Sequence, residues 1–306
     1  MTAADQIRPG FLGAGIAETF KLCHMQFDIP SIDDILNLEQ LDDNVFRGAS
    51  VYSGLQRTYG GQVAAQALSA ATKTVGEEKL VHSLHSYFIR PGKADRDIVF
   101  VVNRVRDGHS FSTRIVDAVQ GGETIFSLEA SFHITDDEGI EHSDKMRAVP
   151  DPENVVPLEE TDGPLKFFSM WSKDWDVRVV PDDEFEHNPY TPSQQVVWFK
   201  SKRQLPDDQT FHICTLAYMS DLTLLHSALV PHRGHKVQMA SLDHAMWFMR
   251  PFRADEWMLY DQVSPSAHGA RALTQGRIFD RQGNLVAMTV QEGLTRTLKE
   301  GGVAFS

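Results

Sequence analysis

Apolar-rich, strand-like runs follow one another three times in the first half of the chain, Asp97 to Val105, Phe111 to Val119 and Thr124 to Ile134. Runs of this length bounded by glycine-containing breaks mark strands. The breaks between them, Arg106-Asp107-Gly108 and Gln120-Gly121-Gly122, have hairpin-turn chemistry, so an antiparallel meander is predicted. The second half repeats the pattern with Glu256 to Val263, Ala270 to Phe279 and Leu285 to Thr295, the last two joined by Arg281-Gln282-Gly283-Asn284. One helix is expected ahead of each meander. The first runs from Gly60 to about Thr74, where Val63, Ala64, Ala67, Leu68 and Ala71 form a helical stripe. The second runs from Asp221 to about Leu229 and is apolar almost all round. Strand candidates precede each helix, Asn44 to Tyr52 and Thr210 to Met219. A small-residue helix enclosed by a curved antiparallel sheet, occurring twice, is the α+β architecture these patterns predict.

The two halves also share wording. The stretch from His85 to Pro91, H-S-Y-F-I-R-P, returns from His244 to Pro251 as H-A-M-W-F-M-R-P with one residue inserted, and Ala94-Asp95 matches Ala254-Asp255 at an offset of 160. Between the halves, seven of the 14 prolines fall from Pro150 to Pro192, which marks a connector. Leu165, Phe167, Phe168, Met170, Trp171 and Trp175 are too apolar to stay in water, so part of that connector is expected to form a helix lying on a domain. The organisation expected is an N-terminal extension over 1–30, a first domain over 31–142, the connector over 143–192, a second domain over 193–298 and a tail over 299–306.

Composition narrows the classes. With 306 residues, 42% hydrophobic and 23% charged, the chain is large enough for a substantial core and is not disordered. Its net charge of −13 opposes nonspecific nucleic-acid binding. No unbroken apolar run approaches the about 18 residues that a spanning helix needs. Cys23 and Cys214 are too few for a disulfide framework and lack C-x-x-C spacing, so both are expected as reduced thiols in a cytosolic enzyme. Phe11, Leu12, Ile16 and Phe20 sit at roughly helical spacing without a signal-peptide pattern and are expected to pack on the body.

Several segments resemble one family. S-L-D-H-A-M-W-F (241 to 248), R-P-F-R-A-D-E-W (250 to 257) and V-Q-E-G (290 to 293), with Y-G-G-Q-V-A-A-Q-A-L (59 to 68) and H-S-L-H-S-Y-F-I-R-P-G (82 to 92), resemble the TesB-like type II acyl-CoA thioesterases from about Ser31 to Arg296. The resemblance implies a double hotdog, in which two sheets each wrap a central helix and join edge to edge as an intramolecular pseudodimer. It implies hydrolysis of fatty acyl-CoA by an activated water, with no cofactor and no metal, and a homo-oligomer, dimer or tetramer. The family's catalytic positions fall on Asp221 at the start of the second central helix, Ser241, which keeps the hydroxyl of the bacterial prototype's Thr, and Gln291.

The chemistry suits such a set. A thioester expels a thiolate whose conjugate acid has a pKa of about 8.5, so no strong general acid is needed. An aimed water, a carboxylate to take its proton and donors for the oxyanion are enough. Taken singly, Asp221 is more often an N-cap, Gln291 a cross-strand polar side chain and Ser241 a strand-edge hydroxyl. At the offset of 160 the first half places Gly61 opposite Asp221 and Ser131 opposite Gln291, so one site per chain is expected. Arg57, Arg90, Arg233, Lys236, Arg250 and Arg271 are candidates for the CoA phosphates, and Met219, Met239, Met246 and Phe248 for the acyl tunnel.

Other motifs carry less. His232 and His235 lack a third ligand motif and read as a loop. His85 and His244 occupy corresponding positions in the repeat, which favours a structural role. Gly108-His-Ser-Phe-Ser misses the last glycine of G-x-S-x-G, and Gly13-Ala-Gly15 is no dinucleotide fingerprint. The rival readings are a hotdog hydratase or dehydratase, which needs an Asp/His pair, and a noncatalytic acyl-CoA-binding protein. The ending Val303-Ala-Phe-Ser306 is unlike a peroxisomal S-K-L signal, so a cytoplasmic location is expected.

Overall fold

The computed structural model describes residues 29–49, 57–162 and 164–298. The residues named above in the N-terminal extension, Cys23 and the tail lie outside them. Thirteen strands form one antiparallel sheet, and its order explains the duplication. In the first half these are β1 (Glu39–Asp42), β2 (Val45–Gly48), β3 (Lys79–Phe88), β4 (Ile98–Asp107), β5 (Phe111–Gln120) and β6 (Glu123–Ile134). In the second they are β7 (Trp175–Val179), β8 (Gln194–Ser201), β9 (Val237–Ser241), β10 (Asp243–Phe248), β11 (Met258–His268), β12 (Arg271–Asp280) and β13 (Leu285–Thr297). The spatial order is β1-β2-β4-β5-β6-β3-β10-β13-β12-β11-β8-β7, with β9 also on β13. The list reads the same outward from the β3–β10 seam in both directions. At that seam His85 pairs with Ala245, two positions 160 apart, so a pseudo-twofold axis passes between them.

Each half-sheet curves around one helix, and a short helix, α1 (Ile32–Leu36), precedes the first half. Helix α2 (Gly60–Thr72) is buried from Gly61 to Ala71, because its alanines let strands approach on every side. Helix α3 (Gln209–Ser220) is buried from His212 to Ser220. The two helices pack on each other. Alternation places Ser112, Arg114, Val116, Ala118 and Gln120 of β5 on the buried side, as a strand wrapped on a helix requires. This is the double hotdog expected.

The second central helix is not where the sequence pattern placed it. Thr210 to Met219, read as a strand, is α3, and the strand in the corresponding place is β8. The residues from Asp221 onward form instead a turn and a 3₁₀ segment, Leu225–His232. Asp221 is therefore the C-cap of α3, not a residue at a helix start. The cause is that α3 is buried on all faces, so it has no polar stripe. Its Thr210, Ile213 and Thr215 are β-branched, which locally favours a strand. The stretch Gln209–His232 is also long and apolar enough to cross a membrane, but 83% of that window lies inside the protein, as for a core helix.

The repeat also needs re-registering. Arg250 and Arg90 are equivalent without any insertion, so His244 corresponds to Leu84 and not to His85. The β12–β13 connection is one residue longer than the β5–β6 turn, as the pairings Phe111↔His133 and Arg271↔Leu294 show. Gln291 consequently corresponds to Ala130, not Ser131. By helix position, Asp221 matches the other C-cap, Lys73, rather than Gly61.

The connector folds as three 3₁₀ segments, Pro152–Asn154, Leu158–Glu160 and Pro164–Trp171, and as β7 at the sheet edge, which takes Trp175 out of the expected helix. Val155, Val180 and Phe185 cover the outer face of the second half-sheet against Val196, Trp198, Leu259 and Phe279. That is why β8 is buried on both faces. Trp171 turns inward and its Nε1 donates to the Tyr218 hydroxyl at 2.8 Å.

The start of α2 abuts the end of α3. The Tyr59 hydroxyl donates to the Tyr218 carbonyl at 2.8 Å, and a Cβ on Gly61 would lie 2.2 Å from that same carbonyl. Backbone cannot yield as a flexible side chain does. Gly61→Ala is expected to cost about 1–3 kcal/mol, read as a lowered midpoint in thermal or urea denaturation.

Candidate active site

The end of α3, the end of β9 and the middle of β13 meet at the junction of α2 and α3. Asp221 caps α3, Ser241 ends β9 and Gln291 lies on β13, whose Gly293 pairs with Ser241. The structure thus brings together all three residues expected from the sequence. Gln291 Nε2 lies 2.7 Å from Asp221 Oδ1 and 2.7 Å from Ser241 Oγ. The Ser241 hydroxyl donates to Asp221 Oδ1 at 3.1 Å. The other carboxylate oxygen, Oδ2, faces Gly60, where a Cβ would come within 2.6 Å of it.

Electrostatics at this point are opposed. Burial pushes the Asp221 carboxyl up to about 6, while the hydrogen bonds from Gln291, from Ser241 and from the Gly61 backbone N–H pull it down. The Gly61 N–H belongs to the first turn of α2, the positive end of its dipole. The α3 end at Asp221 is the negative end of its own. A carboxylate placed at a helix C-terminus is disfavoured, and the antiparallel neighbour supplies the compensating N–H.

Asp221 and Ser241 line a cavity of about 380 Å³ that runs between the central helices and the connector. Its walls are largely apolar, with Val63, Phe88, Phe126, Phe167, Phe168, Trp171, Leu222 and Leu225. Of the sequence candidates for the tunnel only Met239 is among the lining residues. Met219 and Met246 are buried core, and Phe248 packs against it. The aromatic wall from the connector was visible as an apolar run, but nothing in its spacing showed what it would face. Among the polar side chains on the wall is His226, whose Nδ1 lies 3.3 Å from Gln195 Oε1 and whose imidazole burial pushes down to about 4. No sequence signal distinguished it.

Among the cationic candidates, Arg57 and Arg90 border the cavity. Arg90 is anchored by a hydrogen bond to the Thr124 carbonyl at 2.7 Å. Arg271 pairs with Glu292, Arg233 with Asp182, and Arg250 bonds the Leu285 carbonyl. Lys236 lies in the loop before β9. No group of three or more metal-ligating side chains occurs among the described residues. Cys214 is buried, with its thiol pushed up to about 12, so it is no nucleophile at neutral pH.

A family model described as acyl-CoA thioesterase matches residues 169–294, and one described as acyl-CoA thioesterase N-terminal domain matches residues 50–133. Human acyl-coenzyme A thioesterase 8 is 38% identical over 287 residues, covering 87% of this chain and 88% of the human protein. The chain belongs to the acyl-CoA thioesterase family. Acyl-CoA thioesterase 2 of Haemophilus influenzae is 38% identical over 86% of this chain and 96% of its own length. The crystal structure of acyl-CoA thioesterase II TesB2 from Mycobacterium marinum aligns with a TM-score of 0.79 at 53% identity, over 88% of this chain and 100% of that one.

The hydrogen bond from Gln291 stabilises the ionised form of Asp221, so removing it raises the carboxyl further. Carbon-13 NMR of labelled aspartate should show a side chain titrating near 6 in the native protein, absent in Asp221→Asn, and moved to higher pH in Gln291→Leu.

Proposed function

We propose that this thioesterase-family chain hydrolyses fatty acyl-CoA to free fatty acid and CoA, with Asp221 as the general base of a direct attack by water. The observation that carries the reading is a single carboxylate, held at about 6 by burial against three hydrogen bonds, on the wall of a largely apolar cavity. A base with that affinity is ionised at neutral pH yet accepts a proton better than a free carboxylate. The water sits in the cavity in front of Asp221 and Ser241. Its proton passes to Asp221 as its oxygen adds to the thioester carbonyl. At the α2 N-terminus the Gly61 N–H already serves Asp221, and the backbone N–H of Gly60, which lines the cavity, is the one offered to the developing oxyanion. Collapse of the tetrahedral adduct breaks the C–S bond, and the thiolate leaves without strong acid assistance.

Ser241 and Gln291 fix the carboxylate, so that it accepts the proton without rotating away. The aromatic and aliphatic cavity takes the acyl chain, and Arg57 and Arg90 at its border meet the CoA phosphates. A hydratase needs an Asp/His pair in the cleft; the side chains that contact Asp221 here are Ser241 and Gln291. A cytoplasmic location and a dimeric or tetrameric assembly belong to the same reading, and light scattering on the purified protein reports the second.

Thiol release from a short-to-long panel of acyl-CoAs tests the activity. Asp221→Asn should lower kcat by about 10³-fold or more, in the range of general-base catalysis together with lost water positioning. Retained ligand binding with no release from any acyl-CoA by the native protein would instead make it a binding protein. For the native enzyme kcat/KM should fall tenfold per unit as pH drops below about 6, because protonation removes the base. The double variant Arg57→Ala/Arg90→Ala should raise KM for acyl-CoA with kcat within about threefold of native, since it removes charge pairing made equally in ground and transition states.

A further inference from the structure

Gln291 can work as described only if its amide is held one way round. Its Nε2 must face Asp221, because a flipped amide would set the carbonyl oxygen against an ionised carboxylate. Asp221 and Ser241 hold the Nε2 end alone, and the Asp221 oxygen is shared with the Ser241 hydroxyl, so how firmly the amide is fixed depends on what meets its other end. The other end of the amide, Oε1, is buried and has no assigned hydrogen bond. A second orphan lies one strand away: Nδ1 of His244 is likewise buried and unsatisfied. The β10–β13 register pairs Ala245 with Val290, and Leu242 N donates to the Glu292 carbonyl on the same pair of strands. His244 and Gln291 are thus cross-strand neighbours on the buried face, with exposures of 1% and 0%.

We propose that His244 is a positioning residue, whose Nδ1–H donates to Gln291 Oε1 and so fixes the amide that holds Asp221. This rests on the reading of Asp221, Ser241 and Gln291 as the catalytic set. The other side of the imidazole supports it. His244 Nε2 is 2.8 Å from the Ser220 hydroxyl, which is also 3.0 Å from the Ala217 carbonyl. Gln291 Oε1 is only an acceptor, so the ring carries its proton on Nδ1, and the single Ser220 hydroxyl hydrogen is shared between Nε2 and the Ala217 carbonyl. Burial pushes the imidazole down to about 4, and the Gln291 contact pulls the other way, as expected where a carbonyl accepts from the ring. The ring is neutral at working pH, so it holds one tautomer. The chain of donors runs from Ser220, at the end of α3, through His244 and Gln291 to Asp221, the next residue after Ser220.

The duplication supplies the internal comparison. The first half has the same cross-strand pair at the same register, and there it is Leu84 against Ala130. The fold therefore needs only an apolar pair at this place. Ser241 has Val81 as its copy, so the whole row from β9 to β13 is apolar where no base is present. A buried polar pair costs desolvation that an apolar one does not, and only the half with Asp221 bears it.

Three variants separate this role from simple packing. His244→Leu restores the residue of the first half and should fold with an unchanged or higher melting temperature. Its kcat should fall at least tenfold with little change in KM, and the acid limb of kcat should move above its native position as Asp221 loses an aligned donor. His244→Asn places an amide N–H close to the Nδ1 position and should recover most of kcat, whereas His244→Gln places it at the Nε2 position and should not. Native kcat in His244→Leu, or equal losses in the Asn and Gln variants, would overturn the proposal. Asp221→Asn run alongside distinguishes the two failures: if it kept full activity, the catalytic set itself would be wrong and the proposal would fall with it.

Discussion

The structure turns on the close crossing of two helix ends. Helix α2 begins where α3 stops, and Gly60 and Gly61 are what let the backbones meet: a Cβ on either would strike Asp221 Oδ2 or the Tyr218 carbonyl. The junction joins the N–H-rich end of one helix to the carbonyl-rich end of the other. A carboxylate there receives the Gly61 N–H from one helix while hanging from the C-cap of the other. The proposed catalytic side chains are arranged around that point, where the start of one buried central helix meets the end of the other.

Duplication in one chain allows the halves to diverge without disturbing that frame. The β3–β10 seam keeps the twofold register through His85 and Ala245, so sheet and helices stay symmetric. The chemistry does not. Where the second half holds Ser241, His244 and Gln291, the first holds Val81, Leu84 and Ala130, and the second C-cap is Lys73 instead of Asp221. At the far end of the helix pair, Arg114 is almost wholly buried. It donates to the Thr74 hydroxyl at 2.8 Å and to the Thr74 carbonyl at 2.9 Å, so that end of α2 is closed by a structural cation rather than left as a site.

The strands of both meanders were legible in the sequence because each is an apolar-rich run cut off by a glycine-containing break, as at Gly108, Gly121-Gly122 and Gly283. The site trio was legible only through resemblance, since a Ser, a Gln and a capping Asp separately have structural uses. Three things were not legible. Helix α3 is buried all round, and with no polar stripe its β-branched and aromatic residues read as a strand. The extra residue in the turn before β13 shifts the repeat by one, which moved the copy of Gln291 from Ala130 to Ser131, and matching the two motifs on their histidines with one residue inserted hid the His244 and Leu84 equivalence. The connector looked like a linker with an apolar patch. In the structure it covers the outer face of one half-sheet and sends Phe167, Phe168 and Trp171 inward to line the cavity.

That last arrangement ties substrate binding to reactivity. The raised carboxyl of Asp221 owes most to burial, and the cavity it lines is the one proposed here for the acyl chain. An apolar chain lying against Phe168 and Trp171 displaces water from in front of the carboxylate, which weakens its solvation and makes it a stronger base. The hydrogen bonds from Gln291, Ser241 and Gly61 act in the opposite direction and keep it ionised. Basicity is therefore set by the difference between a term the substrate enlarges and a term the protein holds fixed. A ligand that fails to fill the cavity leaves the base hydrated, so discrimination between acyl chains can be expressed in the chemical step as well as in binding.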